Sequence, residues 1–71
     1  MGNRELTTLD DILQAALARE EESRDFYGDL TARCRVDFVR DLLQRLQGEE
    51  AKHVHLIQEM ITKLNLGKDV V

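Results

Sequence analysis

The sequence has no proline and no tryptophan, one cysteine and only three aromatic side chains, two Phe and one Tyr. Without proline there is no obligatory helix breaker, and the few strand formers leave an all-α fold as the expectation. Cys34 stands alone, which excludes a disulfide framework within the chain and any CxxC metal or redox motif. It leaves an interchain bridge as the one disulfide available, and a reduced, cytoplasmic setting is expected. No apolar run approaches the ~20 residues needed to cross a bilayer, and the N-terminus lacks the apolar segment of a signal peptide. Met1-Gly2 does not extend to a myristoylation signal, because position 6 is Leu. Positive charge is also short: the net charge of −4 lacks the clustered Lys and Arg that neutralise phosphates. The expected molecule is soluble and acidic, with neither nucleic acid nor membrane as a partner.

What is present is a long helical pattern, written twice. Seventy-one residues make a single domain, spanning 1–71, near the lower size limit for a self-sufficient core. Thr8 is placed as an N-cap with Asp11 three residues on, so a first helix is expected from about residue 9 to 33. Its core-facing series, spaced alternately by four and three, is Leu9, Leu13, Ala16, Glu20, Ser23, Tyr27, Leu30 and Cys34. Ile12, Leu17 and Phe26 widen the stripe. Periodicity lapses at about 34–37, where Asp37 is the expected cap of a second helix running from about 38 to 65. Its series is Val39, Leu43, Leu46, Glu50, His53, Ile57, Met60 and Leu64, broadened by Leu42, Leu56 and Ile61. Gly67 marks the expected stop, with 66–71 as a short tail. Two helices alone cannot hide stripes this wide. An antiparallel hairpin that dimerises into a four-helix bundle is therefore the expected architecture.

Both series are apolar except in the middle. Glu20 and Glu50 are equidistant from position 35, so folding back at the bend brings them to one layer, ~22 Å from the turn. Glu50 and His53 are spaced i, i+3 and share a face. One hairpin supplies three ligands, whereas a two-fold dimer supplies four Glu and two His. That is the ligand set of di-iron and di-manganese carboxylate bundles. Two divalent cations would offset the four carboxylates, which otherwise repel one another in a low-dielectric core.

Glu20 followed seven residues later by Tyr27 with Phe26 beside it, and Glu50-x-x-His53 thirty residues after Glu20, resemble the ferritin-like superfamily in its rubrerythrin branch. The pattern is closest to the encapsulated ferritins, whose short two-helix chains dimerise around an iron site. The resemblance covers roughly Leu13 to Ile57. It implies Glu20 as a terminal ligand, Glu50 as a bridging carboxylate, His53 as the nitrogen ligand, and Tyr27 as a hydrogen-bond donor orienting a carboxylate. It also implies a di-iron cofactor shared between two chains, with Mn, Zn or Ca as substitutes, and oxidation of Fe(II) to Fe(III) for iron storage or detoxification. The implied partners are a homodimer or higher homo-oligomer and an encapsulin shell, so the location is the cytoplasm or an encapsulin nanocompartment. Arg19 stands where encapsulated ferritins tend to carry an acid. The chain ends at Val71 without the apolar tail that docks such proteins to a shell, and without the cysteine-rich iron domain of full rubrerythrins.

Two other functions are compatible with these residues. One is rubrerythrin-like peroxide reduction, which needs an external electron donor. The other is a non-enzymatic helical scaffold or adaptor whose polar layer fixes register. Glu21, Glu22 and Glu49 are expected to face solvent or to line an acidic funnel for cations. His55 is expected at the surface. Tyr27 also fits as a core residue with its hydroxyl at the rim. Gly28 and Gly48, inside the helices, mark either a close helix approach or no constraint at all.

Overall fold

A computed structural model describes residues 8–70, with side chains through residue 67. It is all-helical: α1 spans Leu9–Arg33, α2 spans Asp37–Val70, and the two form an antiparallel hairpin. The start of α1 follows from its first residues. Thr8 is extended, and its Oγ1 accepts a hydrogen bond from the Asp11 amide at 3.0 Å, while Asp10 and Asp11 face the positive end of the helix dipole. At the other end Arg33 sits in the last turn, and the Cys34 amide donates to the Thr31 carbonyl at 3.3 Å as the chain turns extended.

The bend is three residues long, Cys34-Arg35-Val36, and needs neither glycine nor positive φ. Arg40 Nε donates to the Cys34 carbonyl at 3.1 Å, bracing the turn from the second helix. Asp37 is not the cap of α2 but its first residue. The Val36 carbonyl accepts from the Val39 and Arg40 amides, so Asp37 contributes first-turn charge instead. Gly67 does not stop α2, which continues to Val70. No described glycine has positive φ, so the left-handed cap that ends helices at glycine does not form. With no proline downstream, helix persists beyond the expected end at residue 65. Val71 lies outside the described residues.

The hairpin is 12 Å thin in its shortest dimension, one helix diameter. Each helix therefore has one neighbour, and burial is confined to the seam. Among the described residues only Val54 is fully buried, at 4% exposure. Leu13, Leu17, Leu30, Leu43, Leu46 and Ile57 are half-buried along the same seam. Val54 and the half-buried Gln47 stand outside the expected heptad series. A 3.6-residue helix drifts relative to a strict 3.5 repeat, which brings Gln47, Glu50, Val54 and Ile57 onto the α1-facing edge. Gln47 lies against Gly28, where an added Cβ would come within 2.5 Å of the Gln47 amide nitrogen. Gly28 thus marks a close approach, whereas Gly48 has nothing within 4 Å. The other edge of each stripe, including Ile12, Phe26, Leu42 and Leu56, is exposed. No described helix is long and apolar enough to cross a membrane.

Candidate metal centre

Halfway along the hairpin the seam turns polar. Glu20 from the middle of α1 and the Glu50/His53 pair from one turn of α2 converge there. His53 Nδ1 lies 2.8 Å from Glu20 Oε1 and 2.9 Å from Glu50 Oε1. One ligand atom from each of the three residues lies within 4.8 Å of the other two. Val54, the residue after His53, is the one fully buried side chain among the described residues, so this turn of α2 lies against α1.

The electrostatics follow from that geometry. Both carboxylates accept from the same ring nitrogen, so the arrangement calls for a hydrogen on Nδ1. Hydrogen bonds to Glu50 first and Glu20 second hold the imidazole pKa above its usual 6.5, against a smaller opposing effect of desolvation. The side chains of Glu20 and Glu50 are 25% and 20% exposed, while His53 is 51% exposed. The centre is thus lined on the hairpin side and open on the other.

These donors fit a cation. Mixed carboxylate and imidazole ligation suits first-row divalent metals, whose bonds of ~2.1 Å put ligand atoms at most ~4.2 Å apart. The three atoms here need only sub-ångström movement to reach such spacing. The Nδ1 proton lies between the same oxygens that would hold the ion, and a metal would displace it.

The remaining candidates separate cleanly. Tyr27 is half-buried on the Glu20 face, its ring edge-on to Phe26 at 5.4 Å. Among the described residues its hydroxyl donates to neither Glu20 nor Glu50. Glu22 and Glu49 are exposed, Glu49 beside Lys52 at 3.4 Å, and Glu21 is half-buried. His55 is exposed and 3.5 Å from Glu59, one turn away on its own helix. Cys34 is a free, half-buried thiol at the bend, remote from the ligand layer.

A helical hairpin carrying a glutamate on one helix and a Glu-x-x-His pair on the other thus brings together three residues that could hold a metal ion. The chain belongs to the rubrerythrin family, whose model matches residues 11–71. That family is typically iron-binding, and Glu20, Glu50 and His53 form a group that could hold a metal. No curated protein and no solved structure matches the chain.

Proposed function

We propose that two copies of this hairpin close a four-helix bundle around a shared di-iron centre that oxidises Fe(II) to Fe(III). The convergence of Glu20, Glu50 and His53 on one point, with ligand atoms within 4.8 Å, carries this proposal. Three donors are too few to close a site for iron, and the layer is open on one side. A two-fold partner supplies three more. The near absence of a buried core among the described residues supports the same conclusion, since one buried valine there is far short of what a domain this size requires.

In such a centre Glu20 and Glu50 supply the negative charge that draws in and holds cations, four carboxylates against two divalent ions. His53 supplies a neutral nitrogen donor once its proton has left for solvent. Val54 and the seam hold these side chains in place, so little reorganisation accompanies binding. Iron held by Glu20, Glu50 and His53 would supply the redox chemistry, with dioxygen or peroxide as the oxidant. Tyr27 would orient a carboxylate once the second copy closes the site. Delivery of the ferric product to a protein shell would be a separate step, for which an encapsulin is the proposed partner.

Aerobic addition of Fe(II) to metal-free protein tests the activity. The expected result is a rise in ultraviolet absorption above the buffer rate, saturating near one iron per chain, with a dimer mass in solution. A rate equal to that of buffer would leave a register-fixing polar layer as the function of these residues.

A further inference from the structure

Val54 faces α1, so the two residues that flank it point to opposite sides of α2, each rotated by about 100°. His53 takes the side on which the ligand layer lies open. His55 takes the other, and Glu59, one turn further on, shares its face. Both side chains are exposed. Leu42 and Met60 lie on the side of His53, so a second copy packed over the ligand layer leaves the His55 face in solvent.

A shallow cleft on this outer face is lined by His55, Gln58, Glu59, Thr62 and Lys63. Within it His55 Nε2 and Glu59 Oε2 are 3.5 Å apart. That is beyond the usual length of a hydrogen bond, so the pair is not closed upon itself. Lys63 stands four residues after Glu59, the favoured spacing for an ion pair on a helix. Among the described residues no ion pair joins the two, and the carboxylate is turned toward the imidazole instead.

The separation discriminates between coordination geometries. Nitrogen and oxygen ligands bonded at ~2.1 Å lie ~3.4 Å apart at the tetrahedral angle that zinc-class ions adopt. At the right angle of an octahedron they lie only ~3.0 Å apart. The contacts of the ligand layer, 2.8 and 2.9 Å, are close to the octahedral value. The His55–Glu59 pair matches the tetrahedral one.

The geometry points to a second cation site on the outer face of α2, where His55 and Glu59 hold a tetrahedral divalent ion of the zinc class. Two side-chain donors leave the remaining positions to water, so the ion is exchangeable. Histidine and glutamate one turn apart can reach one ion without distorting the helix, as paired ligands at this spacing do on other metal-binding helices. Lys63 carries its charge on a long stem that reaches into water, away from the ion. Mn(II), lowest in the affinity order of the divalent first-row metals and suited to six oxygen ligands, is disfavoured here. The chain would thus sort cations by geometry, with zinc-class ions outside and iron or manganese in the seam.

Co(II) added to the full metal-free chain tests this, because tetrahedral Co(II) absorbs visible light far more strongly than octahedral Co(II). The wild type is expected to show the intense bands. His53→Ala should keep them, whereas His55→Ala and Glu59→Ala should lose them, with circular dichroism showing that all four chains fold alike. Zn(II) in excess should abolish the bands, and Mn(II) should not. Absence of the bands from the wild type, their survival in His55→Ala or Glu59→Ala, or their loss in His53→Ala would each overturn the second site. Aerobic Fe(II) oxidation by His55→Ala is expected at the wild-type rate, so the outer site and the shared centre stand or fall separately.

Discussion

Glu20 and His53 are 33 positions apart in the chain and 2.8 Å apart in space. Among the described residues theirs is the one side-chain hydrogen bond that joins α1 to α2. His53 is tied in the same way to Glu50 within its own helix, at 2.9 Å. A single ring nitrogen therefore organises both carboxylates, and the behaviour of the layer depends on what occupies the point between them.

Removing that nitrogen separates metal binding from helix pairing. His53→Ala leaves Glu20 and Glu50 as two carboxylates without a shared donor, but it touches a side chain that is half exposed. Once pH has risen past the folded-state His53 pKa, the metal-free melting temperature is therefore expected to change little. Metal-dependent stabilisation, which is about 2.7 kcal/mol at a hundredfold excess over Kd, should vanish. Thermal melts with and without Mn(II) measure both quantities. A mutant that keeps the wild-type shift would show that the ion is held elsewhere.

The same two hydrogen bonds fix a pH dependence in the metal-free chain. They hold the His53 pKa above 6.5, with Glu50 the larger cause and Glu20 the next. A folded-state value above the unfolded one means the contribution to stability is fully present below about pH 6.5. It is lost as pH rises through the folded-state value. NMR titration of the His53 ring should give a raised pKa, lowered toward the usual value by Glu50→Gln and, less strongly, by Glu20→Gln. Metal uptake should strengthen over the same interval, because the ligand proton must leave first.

Much of this architecture is legible in the sequence, and for identifiable reasons. Thr8 followed by Asp10 and Asp11 marks the start of α1, and alternation by four and three carries the stripe through Cys34. Glu20 and Glu50 interrupt two apolar series at equal distance from the bend, which is why their meeting follows from spacing alone. Val54 is not legible in the same way, because a strict heptad places the core on His53 and Ile57, whereas the seam of a single pair lies to one side of that line. Gly67 misleads for a different reason. Glycine permits a left-handed stop but does not impose one, and no following proline forces the helix to end.

The two helical glycines should respond differently to alanine. Gly48 has open space around it, so Gly48→Ala gains helix propensity and should stabilise by about 1 kcal/mol. At Gly28 the new Cβ would come within 2.5 Å of the Gln47 amide nitrogen. That group is the end of a flexible side chain, which can turn aside at the loss of its packing against α1. Gly28→Ala should therefore gain clearly less than Gly48→Ala. Urea unfolding of the two variants side by side measures the difference, and equal gains would mean that Gln47 does not constrain the seam.

Val54 tests the connection between packing and chemistry. It is the one fully buried side chain among the described residues, and it directly follows His53. Val54→Ala removes two methyl groups from the tightest point of the seam, at an expected cost of about 2 kcal/mol. If that packing also aims the ligands, the variant should bind metal more weakly under conditions where it remains fully folded, because Glu50 and His53 can then rotate away from Glu20. Leu66→Ala, on an exposed side chain near the far end of α2, serves as the comparison and should leave affinity unchanged. Mn(II) titrations at a temperature well below both melting points give the two affinities. Equal affinities for Val54→Ala and the wild type would assign Val54 to stability alone and leave the ligand layer to be held by its own hydrogen bonds.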